Sequence, residues 1–395
     1  MGDSVAVSGG ELPGAGERER HAAWLELFFD LVFVAVAAQL AHGLHGDPDA
    51  KDFAVFLALY FPAWWTWINV TAAMNVVERD SPRRRLLVLW AMLCLAAMAA
   101  ALPEAVGDRA PAYALGFAGA RLALMGLWWP ATAFPEPHRL PKWRPLTYCL
   151  AAAALWSVSA FVPSPWCYVM WAVLVVAEMP LLMGGSSGGG LLSRLHTGHL
   201  VERVGLVVII VLGEAVLGLV TSTDHHWTAS SGVTAVLGFV LIAALWWSYF
   251  DFGSAAAERA LHTAPGGSAY RLARDTTGYL YFFVTAAVIA MAGGLATAVE
   301  EAHHAHLTTG ALWALAGGQA LYHAAHAAIA LRVGRPLGSV AVWTVPGVGV
   351  PLLIVLLLGH ALAPWAVVLL LVAEAVAHLV YADVVARRRR AAGLL

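Results

Sequence analysis

Charge is what this sequence has least of. Asp, Glu, Lys and Arg make up 12% of its 395 residues, against about 25% in typical soluble domains, while 60% are hydrophobic. So small a charged fraction excludes both a solvated globular surface and an intrinsically disordered chain. An excess of basic residues is missing too. The formal net charge is −2, and the Lys and Arg residues are dispersed among short connections, so no exposed basic face for nucleic acid can form. Cysteine is scarce: Cys94, Cys149 and Cys167 all fall in apolar segments. That excludes a disulfide framework and makes the three thiols small buried apolar residues. Residues 1–20 are polar, Gly-rich and charged, with no apolar stretch followed by a small-residue cleavage site. No removable signal peptide is expected, and the first apolar helix is expected to act as an uncleaved insertion signal. The Gly-rich run MGGSSGGGLLSRLHTG at 183–198 follows no strand and lacks G-x-x-x-x-G-K-[ST], which argues against a phosphate loop.

What is present is apolar sequence in long runs. Stretches near the roughly 20 residues needed to cross about 30 Å of hydrocarbon recur at 24–44, 53–77, 86–102, 112–134, 146–162, 166–184, 198–221, 228–251, 276–299, 307–332, 338–360 and 364–386. The expected fold is an all-α membrane protein of twelve transmembrane helices, with the lipid bilayer as its first partner. Orientation follows from the distribution of basic residues. Nineteen of the 23 Lys and Arg residues fall in the N-terminal tail, the even-numbered connections and the C-terminal tail. The opposite side holds only Lys51 and Arg109, and Arg121 and Arg203 lie within helices. Both termini are therefore expected to be cytoplasmic.

An internal repeat is visible. WWTWIN at 64–69 matches WWSYFD at 246–251, and AMAAAL ending at Leu102 matches AMAGGL ending at Leu295. GARLAL around Arg121 resembles GGQALY around Gln319, Pro165-Trp166 recurs as Pro364-Trp365, and VVAE at Glu178 recurs as LVAE at Glu374. Five matches in one helix order predict two six-helix repeats, parallel because six is even. The expected organisation is a polar cytoplasmic tail at 1–23, a first repeat at 24–184, a Gly/Ser-rich flexible linker at 185–197, a second repeat at 198–386 and a basic tail at 387–395.

Ionisable residues inside such helices are costly, about 2.5–3.5 kcal/mol each on insertion scales, and normally face a bundle interior or a polar route. Asp30 stands out in the first helix, with Glu26 one turn earlier on the same face. Two readings apply to it: a structural anchor with Glu26 in the headgroup layer, or part of a route for a solute or ion. Arg121, Glu178, Glu214 and Glu374 also lie within the membrane, with Glu202, Arg203 and Asp251 nearer the cytoplasmic ends. Arg121 cannot snorkel to either surface and needs a carboxylate; Glu214, Glu178 and Glu374 are the candidates. Glu214 is the preferred one, because it lies across the halves. Gln319, His323 and His326 share one face of the tenth helix, where they form either a proton relay or satisfied interior residues. Glu374 and His378 make an i, i+4 pair in the last helix. Pro180 after Glu178 suits either a kinked cation site or packing. The tryptophans at 64, 65, 67, 246 and 247 read as packing or interface anchors. The histidines at 42, 45, 225 and 226 and the run EEAHHAH at 300–306 match no structural zinc spacing and read as hydrated exterior loops.

Two helices carry a family resemblance. LELFFDLVFV in the first and HLVERVGLVVIIVLGEAVLGLV at 199–220 resemble the bacterial low temperature requirement A family, whose members carry an ELFFDLVFV-like first helix and a later VERxGLxxIIxLGE helix. By helix count and spacing the resemblance covers about 20–390. It implies a multi-pass protein of the bacterial inner membrane linked to growth in the cold, and no established substrate. The first helix is also distantly similar to the F-S-D pore-lining helix of six-plus-six endolysosomal potassium channels, from which the LGE of the second half departs.

Three function classes follow. The leading one is a secondary transporter that couples proton or cation movement to a small solute, using Asp30, Glu214 and the His-bearing tenth helix across the repeat interface. The second is a cation channel. The third, a membrane metalloenzyme, is disfavoured, because the His-x-x-His pairs at His42/His45, His196/His199 and His323/His326 fall on opposite sides of the membrane and cannot build one metal site. No enzyme activity, cofactor or resident metal is expected, and a homo-oligomer is left open.

Overall fold

The structure is a computed structural model that describes residues 24–77, 81–136, 138–183, 194, 196–254 and 271–391. The expected N-terminal tail lies outside these residues, as do the end of the C-terminal tail and all of the expected linker except Arg194, His196 and Thr197. Every regular element among the described residues is helical. In chain order they are α1 (Trp24–His42), α2 (Ala50–Val76), α3 (Pro82–Ala101), α4 (Ala110–Trp128), α5 (143–159), α6 (Trp166–Met183), α7 (Thr197–His225), α8 (229–254), α9 (274–300), α10 (309–332), α11 (337–361) and α12 (Pro364–Ala391). Among the described residues, nine are long and apolar enough to cross a membrane, the exceptions being α5, α6 and α10. The reasons differ: α5 is short, the apolar part of α6 covers only Trp166–Glu178, and α10 carries Gln319, His323 and His326.

Short polar turns start these helices with local caps. The Asp49 carboxylate accepts from the Lys51 and Asp52 backbone N–H groups at 2.7 and 2.9 Å, while the Asp52 side chain accepts from the Asp49 N–H at 2.9 Å. This reciprocal box satisfies donors that the first turn of α2 leaves free. Ser81 caps α3 by accepting from the Arg84 N–H at 3.2 Å, with Pro82 in the first helical position, where its missing N–H costs nothing.

The bundle is organised around α9. Of the apolar window in its span, 94% is buried, against 50% in α3 and 28% in the peripheral α11. The sequence explains the contrast between α9 and α3. Gly293 of AMAGGL lies so close to α1 that a Cβ there would sit 2.6 Å from the Ala41 carbonyl oxygen, whereas the matching Ala100 of AMAAAL is exposed. Helix α9 packs on α7, α10 and α1, and α3 packs on α1 and α4. Helices α1 and α7 run in the same direction, since Glu26 meets His199 and, one turn later in each, Asp30 meets Arg203.

The halves are also tied together by polar contacts. The Tyr60 hydroxyl lies 2.7 Å from Thr285 Oγ1, and the Trp64 indole N–H donates to the Gly278 carbonyl at 2.8 Å. At the opposite end, the Gly310 N–H donates to Asp47 Oδ1 at 2.7 Å. Widened π turns interrupt α8 (Ser248–Ser254), α9 (Arg274–Leu280), α10 (Trp313–Gly317) and α11 (Ile354–Leu358), with one more in α5 (Leu146–Ala151). Such turns frequently occur at functional sites, and here four of the five fall after α7.

Candidate functional site

Three buried polar centres account for most of the charged groups inside the bundle. The first lies between α1, α2, α3 and α7. Arg203 Nη2 is 2.5 Å from Asp30 Oδ1, and Nη1 is 3.3 Å from Glu26 Oε2. The Trp67 indole N–H donates to Asp30 Oδ1 at 2.7 Å. Arg84 reaches Glu26 Oε1 at 3.5 Å, and His199 Nε2 lies 2.8 Å from Glu26 Oε2. The tautomer of His199 follows from its neighbour. The His196 backbone N–H donates to Asn75 Oδ1 at 2.8 Å, which fixes the amide orientation and places Asn75 Nδ2 3.1 Å from His199 Nδ1. An amide nitrogen only donates, so Nδ1 holds the lone pair and Nε2–H donates to Glu26. Among the described residues the centre sets two carboxylates against two guanidinium groups. Glu26 and Asp30 are each only 1% exposed and Arg203 is fully buried, so all three are interior residues of the bundle.

The second centre lies inside the first half. Arg121 on α4 forms an ion pair with Glu178 on α6, both buried. The guanidinium sits over the Phe117 ring at 4.5 Å and the Tyr148 ring at 5.2 Å, an arrangement in which the aromatic faces attract the cation. The Trp65 indole N–H donates to the Tyr148 hydroxyl at 2.8 Å. This corrects the expected pairing of Arg121 with Glu214. Helix α4 packs on α3, α2 and α5, whereas α7 packs on α9, α8 and α1, so Glu178 of the same half is the carboxylate within reach. Glu214 is half-buried, and its Oε2 has no hydrogen-bond partner among the described residues. It lies eleven residues, or about 16 Å of helix, beyond Arg203.

The third centre lies between α10 and α12. Gln319 Nε2 donates to Glu374 Oε2 at 2.5 Å and to the Leu371 carbonyl at 3.2 Å. His323 Nε2 is 3.3 Å from Glu374 Oε2, and His378 Nδ1 is 3.4 Å from Glu374 Oε1. The two imidazoles stack with centroids 4.5 Å apart. Beside them opens a cavity of about 780 Å³ lined by Ser248, Asp251, Gly253, Tyr322, His323, His326, Arg335, Trp343, His378 and Arg390, among others. His326 Nδ1–H donates to the Tyr322 carbonyl at 2.9 Å, which leaves Nε2 as a bare acceptor. Asp251 is exposed at the wall and accepts from the Trp247 indole at 2.6 Å. Glu202 is exposed and joins none of the three centres.

Trp64, Trp65 and Trp67, read as packing or interface anchors, are buried; that Trp67 serves as a hydrogen-bond donor to a carboxylate escaped the sequence reading. Asn75, Arg84 and Tyr148 carried no signal of their own. His199 did: it stands four residues before Arg203, the same spacing as Glu26 before Asp30, so two complementary i, i+4 pairs were there to be matched.

An all-helical bundle with apolar outer faces and charges collected inside defines a polytopic membrane protein. Residues 21–382 match the family described as bacterial low temperature requirement A protein (LtrA), and the chain belongs to that family. It is also similar to an uncharacterized protein of Rhizobium meliloti (strain 1021), at 29% identity over 294 residues that span 71% of this chain and 68% of that protein.

Proposed function

We propose that the chain is a secondary carrier of a bacterial inner membrane, built as two parallel six-helix repeats with both termini in the cytoplasm, that couples proton or cation movement to transport of a small solute. The observation that carries this reading is the charge-balanced centre joining the halves, Glu26 and Asp30 against Arg203 and Arg84. A proton arriving on Asp30 leaves Arg203 held to α1 through Glu26 alone, and losing a hydrogen bond to a charged group in a low-dielectric interior costs about 1.5–3 kcal/mol. Protonation therefore loosens the α1–α7 contact, which is what coupling to a change of access requires. The cavity in the second half is the solute chamber, and its volume of about 780 Å³ falls in the range of small-molecule sites.

The repeat is supported by correspondence of contacts. Arg121 and Gln319 match in sequence, as do Glu178 and Glu374, and each matched pair meets across its own half. The co-directional α1 and α7 suit a parallel duplication. A channel with α1 lining the pore is less well supported, because Asp30 is closed off by Arg203 and Trp67 instead of facing a path.

Purified protein in liposomes tests the reading. Slow, saturable flux that follows a pH gradient is expected for a carrier, and unsaturable voltage-driven current would favour a channel. Reporter fusions near Ser187 and at the C-terminus are expected to report cytoplasm, and one near His304 the exterior. An exterior report from Ser187 would overturn the parallel repeat.

A further inference from the structure

The Glu374 centre has the composition of a metal site. Two imidazoles and one carboxylate, on two helices, place one ligand atom each within 4.8 Å of one another. His323 Nε2 lies 3.3 Å from Glu374 Oε2 and His378 Nδ1 3.4 Å from Glu374 Oε1, so each imidazole faces its own carboxylate oxygen, and a modest closing of the 4.8 Å triangle brings one atom of each residue to the spacing of about 3.3 Å that tetrahedral ligands adopt. Helix geometry supplies the pair on α12, since residues four apart share a face. Helix α10 supplies His323 from the opposite side.

Two further observations point to a ligand. His323 is only 3% exposed, and its Nε2 faces Glu374 Oε2 at 3.3 Å without a well-aligned hydrogen bond among the described residues. A dry ring nitrogen so poorly satisfied gains from a ligand that takes its lone pair. The ring is also held in place. Gly347 on α11 leaves room for it, since a Cβ there would come 2.9 Å from the ring, and His378 stacks on its other side. Around the carboxylate, Gln319 splits its two N–H groups between Glu374 and the Leu371 carbonyl. Such outer contacts orient ligands in metal sites.

We propose that His323, Glu374 and His378 bind one divalent transition-metal ion of the zinc or cobalt type. Three protein ligands leave a fourth position, and His323 and His378 both line the 780 Å³ cavity, so this position opens toward the chamber. Open positions distinguish working metal sites from closed structural ones. The site rests on these contacts alone and stands whether or not the chain is a carrier.

The test uses full-length protein in detergent, stripped with a chelator and titrated with Co²⁺ while visible absorption is recorded. A single equivalent with the intense bands of tetrahedral cobalt, displaced by Zn²⁺, is expected. Glu374→Gln and the half-buried His378→Ala are each expected to abolish those bands. Gln319→Leu should weaken binding by roughly 10–100-fold, the usual effect of losing an outer partner, with the band shape retained. His303→Ala with His304→Ala, in the exterior loop, is expected to change nothing. Two results would overturn the proposal: no saturable binding by the intact protein, or bands that survive His378→Ala or disappear with the loop variant.

Discussion

The two halves solve the same buried-carboxylate problem differently. In the first, Glu178 is met by the Arg121 guanidinium under two aromatic rings. In the second, the matched Glu374 is met by the neutral Gln319 amide and two imidazoles beside a cavity. A guanidinium cancels the charge and closes the centre, which makes a brace. An amide orients the carboxylate without cancelling it, so the charge stays available to a proton, a cation or a metal.

The largest expected effect comes from making the first half like the second. Arg121→Gln fits sterically, since Gln319 occupies the matched place, but strands the Glu178 charge. A loss of about 3–5 kcal/mol is expected, read as a fall in melting temperature and protein level. Adding Glu178→Gln is expected to restore both, and adding Glu214→Gln is not; rescue by Glu214 would mean that the brace spans the halves.

Asp30→Asn is expected to cost less, about 1.5–3 kcal/mol, the range for a hydrogen bond to a charged group, because Arg203 keeps Glu26 and the asparagine oxygen still accepts from Trp67. Chemical denaturation in mild detergent measures it, and unchanged stability would show that Arg203 does not depend on Asp30.

The reverse exchange, Gln319→Arg, brings the first half's solution to the second. Stability within about 1 kcal/mol of the parent is expected, the gain of an ion pair being offset by desolvation, together with loss of cobalt binding. Retained binding would contradict the idea that the amide keeps Glu374 available. Trp67→Phe keeps the aromatic packing and removes one donor to Asp30, a single-site loss of about 1–2 kcal/mol with cobalt binding untouched. An equal loss for Trp64→Phe is expected to leave Asp30 unaffected, since Trp64 bonds the Gly278 carbonyl.

Much of this was legible in the sequence and some was not, for identifiable reasons. Apolar length locates the helical segments, since it depends only on neighbours in the chain. The polar stripe of Gln319, His323 and His326, and the Glu374–His378 pair, follow from helical periodicity alone. Which centre each charge joins depends on which helices touch. Arg121 illustrates the limit: depth offered three carboxylates, and only the packing of α4 within its own half selects Glu178. The three tryptophans of α2 show another, because burial in a bundle and anchoring at an interface leave the same mark in composition. His199 was decidable, as its spacing to Arg203 mirrors that of Glu26 to Asp30.

The central claim is that the first half's centre holds the bundle and the second half's centre works. Flux in liposomes driven by a pH gradient tests it with two folded variants that each neutralise the matched carboxylate: Arg121→Gln with Glu178→Gln, and Glu374→Gln. The account predicts flux close to the parent protein for the first and none for the second. Loss of flux in the first, or its survival in the second, would contradict it.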